Sequence, residues 1–212
     1  MRYSRWLPET GGVMLDWGCN HAPDACMLEA DHRSGYAAAG PWTYFGCDFG
    51  QVHTRPGCDV FHRFAGLEYT PVRHPGEIPF DDGKFDVVIT SGVLEHVAND
   101  AVALGELYRV LKVGGQLVLT FLPNRWSLSE NLCRMIGLTH HRRLYRPGQI
   151  RRMLLHSGFE VFYTGFHQFI PAHRLQKVLG PLHRLNGVLE RTWPLRSFST
   201  SILIAGRKRL VM

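Results

Sequence analysis

Residues 78–121 read IPFDDGKFDVVITSGVLEHVANDAVALGELYRVLKVGGQLVLTF. Two short runs rich in β-branched residues, 85–90 and 116–121, flank a stretch in which Val102, Leu104, Leu107, Val110 and Leu111 recur at helical spacing. Gly114 and Gly115 are expected to end that helix, because glycine readily takes the left-handed backbone beyond a last turn. Strand, helix and strand in this order make a βαβ unit, and continuous apolar strands of this kind belong to a parallel sheet covered on both faces.

Outward from this unit the same alternation continues. Residues 13–16 and 43–47 read as earlier strands, and 160–165 and 200–205 as later ones. After Phe121 comes a polar loop, then a helix opened by Pro147 in PGQIRRMLLHSG. The last two strands are expected to pair as an antiparallel hairpin at the sheet edge. Their connection, residues 166–199, is too long for a turn and contains a helical stretch, so it is read as a cap. The expected fold is α/β, a doubly wound and mostly parallel sheet with an antiparallel C-terminal edge hairpin and a small helical cap. One domain is expected over residues 1–212, with its core at about 10–165 and 200–206 and the cap at about 166–199.

Composition permits a packed enzyme-sized domain: 45% hydrophobic and 20% charged residues lie close to the globular average. No apolar run approaches the roughly 18 residues of a membrane span, and MRYSRWLPET lacks a signal peptide's apolar core, so a cytoplasmic location is expected. The five cysteines form no CxxC pair and are expected to be reduced thiols. Charge is unevenly spread. Residues 140–212 carry 13 Lys/Arg against Glu160 and Glu190, a net of +11, whereas residues 1–139 carry 11 against 16 acids, a net of −5. The basic third suits an anionic substrate, nucleic acid or a membrane face, as well as plain solvation.

Chemistry concentrates where strands end. In VMLDWGCN, Asp16 closes an apolar run and Gly18 sits in the turn ahead of a helical pattern beginning near Ala22, an arrangement that lets backbone approach a ligand and offers helix N–H donors. In YFGCDF, Asp48 ends a second run, where a carboxylate can accept both hydroxyls of a ribose.

Taken with the 78–121 segment, these motifs resemble the class I S-adenosylmethionine-dependent methyltransferases, in particular the group that includes ubiquinone-biosynthesis-type and other small-molecule enzymes. VMLDWGCN matches the acidic glycine loop, FGCDF the ribose strand, IPFDDGKFDVVITSGVLEHV the fourth strand and LYRVLKVGGQLVLTF the fifth. HHRRLYRPGQIRRMLLHSGFEV resembles the lead into the sixth, so the resemblance covers about residues 10–165. It implies S-adenosylmethionine as cofactor, with Asp16, Gly18, Cys19 and Asn20 under its methionine part. Asp48 would bind the ribose, Phe49 would pack on adenine, and Ser91 and Gly92 would line the sulfonium end. Two positions depart from the family pattern. Asn20 stands where a second glycine is usual, and asparagine is suited to a left-handed backbone. His74 and Pro75 replace an acidic and a small residue beside the adenine, which implies altered recognition there.

Methyl transfer is mostly alignment, because the sulfonium is already a good leaving group. A base is needed only when the acceptor must lose a proton; His96 in LEHV and His141 in THHRR are the candidates, beside the alternatives of a capping histidine and a solvated loop. No histidine pair shows i, i+4 spacing with an acidic partner, so no metal site is expected. Trp6, Trp42 and Trp126 read as core or lid packing. AHRLQKVLGPLHRLNGVLERTW is basic and amphipathic, which fits a charged-faced cap or contact with an anionic interface. The acceptor is expected to be a small molecule, lipid-linked or glycan-type, engaged through the basic third. A nucleic-acid methyltransferase and a non-catalytic relative are the alternatives, whereas GCNHAP lacks the glycines of a dinucleotide dehydrogenase.

Overall fold

The computed structural model describes residues 7, 8, 10–19, 42–49, 67–74, 76–137, 141, 143–167, 188 and 192–209. Among these the chain forms β1 (Gly12–Trp17), β2 (Trp42–Phe49), β3 (Leu67–Val72), β4 (Phe85–Ser91), α1 (Asp100–Val110), β5 (Leu111–Pro123), α2 (Leu128–Met135), α3 (Pro147–His156), β6 (Phe159–His167) and β7 (Ser201–Lys208). The strands build one seven-stranded sheet in the order β3-β2-β1-β4-β5-β7-β6. Pairings from β3 to β5 are parallel, and β7 lies antiparallel to both β5 and β6. The doubly wound sheet and its antiparallel edge are those read from the sequence.

Both faces are buried, which is why the central strands are apolar without alternation. Leu15, Val88, Leu117, Leu119 and Ile204 face one core together with Leu104 and Leu107 of α1 and Ile150 and Leu154 of α3. Met14, Val87, Ile89, Val118, Leu203 and Ala205 face the other.

Three elements differ from the sequence reading. The helix α1 is capped by Asn99 and stops at Val110, where Leu111 turns extended (φ −76°, ψ 140°), rather than at the glycine pair. Leu111 instead pairs with Phe85 and starts β5. Gly114 (φ +78°) and Gly115 lie within that strand, and a Cβ on Gly115 would stand 2.8 Å from the Lys112 carbonyl. Val102, expected on the buried face, is exposed, and Ala103 is buried in its place. The strand β3 was unread because LEYTPV carries Glu68, Thr70 and Pro71, residues an edge strand tolerates. The helix α2 occupies what reads as polar loop. It turns Glu130 and Cys133 inward and leaves Leu128, Leu132 and Met135 outside, which inverts the usual pattern. The helical run from Ala22 and most of the cap, including the basic amphipathic stretch, lie outside the described residues. Residues 192–199 of the cap form a short 3-10 turn at Leu195–Phe198.

Candidate active site

The chain runs β1, β2, β3 to one side and β4, β5 to the other, so the strand order reverses between β1 and β4. Ligands of open α/β sheets sit in the crevice beyond the carboxyl ends of the strands at this reversal. Of the residues expected to hold the cofactor, Asp16, Gly18, Cys19, Asp48, Phe49, Ser91 and Gly92 lie at or just beyond the ends of β1, β2 and β4. Asp16 is buried near the end of β1, opposite Gly46 of β2 and Ile89 of β4. The turn after β1 is fixed by two amides: Gly18 N–H donates to the Cys47 carbonyl at 2.7 Å and Cys19 N–H donates to the same oxygen at 3.2 Å. Gly18 has φ +76°, and a Cβ there would stand 2.2 Å from Val93 Cγ2, so glycine is needed both for conformation and for the packing of Val93 over the loop.

Asp48 and Phe49 are the last two residues of β2. The Phe49 amide donates to Asp48 Oδ1 at 2.5 Å, which holds the carboxylate at the strand end, and the Phe49 ring is exposed. At the end of β4, Ser91 Oγ accepts from the Thr120 hydroxyl at 2.8 Å, and the Gly92 amide donates to the Thr120 carbonyl at 3.1 Å. His74 is exposed two residues beyond β3. Asn20, His140 and Pro75 lie outside the described residues.

Burial pushes the Cys19 and Cys47 thiols far up, and the charges of Asp16 and Asp48 add to the effect. Burial of this kind favours the neutral thiol over the nucleophilic thiolate at both positions. What the crevice offers is carboxylate oxygens from two neighbouring strands and a tight glycine turn. That set suits a ligand bearing hydroxyls and positive charge.

On the other side of Gly92, the turn after β4 brings Glu95 and His96 to His141, residues far apart in sequence. The His96 and His141 rings meet edge to face with centroids 5.9 Å apart. Glu95 is buried at 2% exposure, and burial pushes its carboxyl up to about 7 against the pull of its own amide and of His141. His141 Nδ1 lies 3.0 Å from Glu130 Oε1. Glu130 is held on α2, where its amide donates to the capping Ser127 Oγ at 3.0 Å. Sequence reasoning named both histidines and missed both acids. Glu95 was legible as the neighbour of His96, whereas Glu130 had no signal beyond being a charge on an unread helix.

A doubly wound sheet with an acidic crevice and a glycine turn at its reversal is an architecture that takes nucleoside-bearing ligands. Residues 36–119 match the methyltransferase domain family. A Mycolicibacterium smegmatis protein named probable S-adenosylmethionine-dependent methyltransferase is 31% identical over 119 residues, covering 49% of this chain and 46% of that protein. A fatty-acid O-methyltransferase of the same organism is 30% identical over 120 residues, covering 57% of this chain and 40% of the enzyme. The chain thus spans about half the length of the curated relatives it matches. Phosphoethanolamine N-methyltransferase 2 of Haemonchus contortus, solved with S-adenosyl-L-methionine, superposes with a TM-score of 0.65 at 18% identity over 98% of this chain and 51% of its own. Over residues 36–119 the chain is similar to S-adenosylmethionine-dependent methyltransferases, and its fold is the one such an enzyme solved with S-adenosyl-L-methionine adopts.

Proposed function

We propose that the protein transfers the methyl group of S-adenosylmethionine to a small-molecule acceptor with an apolar body, drawn from an anionic membrane surface. The observation that carries the transfer is the convergence of Asp16, Gly18 and Asp48 at the strand reversal, with Ser91 and Gly92 across the crevice. On this reading Asp48 accepts the two ribose hydroxyls and Phe49 lies against adenine near His74. Asp16, Gly18, Cys19 and Asn20 cradle the amino-acid part, and Ser91 and Gly92 border the sulfonium. The protein's task is then to align acceptor, methyl carbon and sulfur while excluding water. His96 and His141 stand on the acceptor side of Gly92.

The apolar acceptor is supported by the exposed outer face of α2, with Leu128, Leu132, Met135 and Ile136 on the element whose inner face carries Glu130 toward His141. The fatty-acid relative points the same way. The anionic surface is supported by the +11 of residues 140–212.

Titration calorimetry with S-adenosylmethionine and with its demethylated product tests the cofactor reading. Both should bind, and Asp48→Ala should weaken both by about one to two orders of magnitude, since losing charge-assisted hydrogen bonds costs about 1.5 to 3 kcal/mol. Equal affinity of Asp48→Ala and the unaltered chain would overturn the placement of the ribose.

A further inference from the structure

The buried acid beside His96 is not explained by methyl transfer. Glu95 is 2% exposed, and its Oε2 has no hydrogen-bond partner among the described residues. A carboxylate taken out of water in this way is costly unless a proton or a cation compensates it. Around it stand nitrogen donors from two separate segments. His96 Nε2 lies 3.8 Å from Glu95 Oε1, and ligand atoms of Glu95, His96 and His141 all fall within 4.8 Å of one another. His141 is in turn backed by the buried carboxylate of Glu130 at 3.0 Å, the arrangement that orients a metal-binding imidazole and raises its basicity. Glu130 is fixed through its capped position on α2, so the backing group is built into the fold.

We infer that Glu95, His96 and His141 form a binding site for one divalent cation of the Zn²⁺ or Mn²⁺ type, with Glu130 as the group that orients His141. Two imidazoles and one carboxylate are the donor set of many Zn²⁺ sites, with a position left for an outside oxygen, and the carboxylate also suits the harder Mn²⁺. Ligand atoms around a bound cation stand roughly 3.4 Å apart. The observed ligand atoms lie within 4.8 Å of one another, so a bound cation would draw them closer, and the His96 side chain is the most exposed of the three at 52%. Sequence spacing gave no hint of this site because His141 arrives from beyond β5 and α2, 45 positions after His96.

The location assigns a use. Gly92 separates the cluster from the crevice at the strand reversal, and a Cβ on Gly92 would stand 3.6 Å from Glu95 Oε1. A cation there holds an acceptor oxygen beside the sulfonium end and favours its deprotonated form. That use rests on the methyl-transfer reading; the site itself does not.

The test is calorimetric titration of chelator-treated full-length protein with ZnCl₂ and with MnCl₂, paired with Co²⁺ absorption in the visible range. One equivalent should bind, Co²⁺ should give the intense bands of a low-symmetry nitrogen–oxygen site, and Glu95→Gln and His141→Ala should each lose at least tenfold in affinity. Glu130→Gln should lose about ten- to a hundredfold, because it removes only the backing carboxylate. S-adenosylmethionine affinity, measured on the same samples, should stay within a few-fold and shows that each variant is folded. Unchanged cation affinity in Glu95→Gln and His141→Ala, or no saturable binding in the unaltered chain, overturns the site. A chain that takes up the cation yet fails to bind S-adenosylmethionine leaves the site standing and overturns the methyl-transfer reading instead.

Discussion

At the scale of single residues, Gly18 shows how tightly the cofactor loop is constrained. Its φ of +76° is left-handed, and the space a Cβ needs is occupied by Val93 at 2.2 Å. Gly18→Ala therefore meets two separate penalties, backbone strain and overpacking, each typically about 1 kcal/mol or more. The expected outcome is a lower thermal midpoint together with at least tenfold weaker S-adenosylmethionine binding. Adding Val93→Ala relieves the overpacking alone, so the double variant should recover part of the stability and not all of it. Full recovery would show that conformation at residue 18 is irrelevant, and no recovery would show that Val93 yields freely. His96 is a contrast, because its half-exposed ring packs edge to face on His141 and pairs with Glu95. His96→Ala should leave cofactor affinity within a few-fold by calorimetry.

Among the elements, the join between α1 and the loop ahead of β4 is fastened by one side chain. The guanidinium of Arg109 donates to the carbonyls of Ile78 and Phe80 at 2.8 Å each, to Asp82 at 2.7 Å and to Glu106 at 2.8 Å. Glu106 also accepts the Ile78 amide at 3.0 Å. Hydrogen bonding to Arg109 holds the Glu106 carboxyl below its ordinary value, against the opposing effect of burial. A carboxyl depressed in the folded state adds stability above its unfolded pKa of about 4.3 and loses it as pH falls through the folded value. The unfolding free energy of Glu106→Gln from urea titrations should thus lie below that of the unaltered chain at pH 7, by about 1 to 2 kcal/mol, and the two should converge as the solution is acidified. A constant gap across that range would show that the ion pair contributes nothing. The βαβ unit was legible because its strands are apolar and β-branched and its helix has a clean period. The end of α1 was not, since Gly114 and Gly115 suit a helix stop and a strand irregularity equally, and only the pairing of Leu111 with Phe85 decides. In α2 the buried positions are Glu130 and Cys133, so an apolar stripe, had it been read, would have pointed outward. The positions expected to border the crevice could be placed from the sequence because Asp16, Asp48, Ser91 and Gly92 sit at or just beyond strand ends. The Glu95, His96, His141 and Glu130 cluster could not, because it depends on where α2 and the segment behind it fold back.

For the whole molecule, the question is what the acceptor end of the sheet faces. Asn124, just beyond β5, donates to the carbonyls of Ser197 and Ser199 at 2.8 Å each, and the Ser129 and Thr200 hydroxyls meet at 2.9 Å. These bonds bind α2 to the segment leading into β7, so their exposed apolar groups lie on the same end of the molecule. On α2 these are Leu132, Met135 at 84% exposure and Ile136; on the other segment they are Trp193 at 73%, Leu195 and Phe198. Arg125, Arg134 and Arg196, close to these residues in sequence, are exposed as well. Apolar groups with aromatic and arginine neighbours suit the boundary of an anionic bilayer, where rings and aliphatic chains enter the headgroup layer and guanidinium groups meet phosphate. No described helix is long and apolar enough to cross a membrane. Arg143 does not belong to this face, because it donates to the Val97 carbonyl at 2.7 Å and to the Ala98 carbonyl, and removing it would disturb the turn after β4. The variant that isolates the surface is therefore Leu132→Ser, Arg134→Gln and Met135→Ser together. In sedimentation with vesicles of mixed phosphatidylglycerol and phosphatidylcholine at low salt, it should bind at least tenfold more weakly than the unaltered chain. The unaltered chain should itself release as salt rises, because screening shortens the reach of its arginines. Calorimetric affinity for S-adenosylmethionine should not change, since none of the three positions touches the crevice. Vesicle binding that is equal in both proteins, or that ignores anionic lipid content, would remove the membrane surface from the proposal and leave the exposed face of α2 to a soluble apolar acceptor.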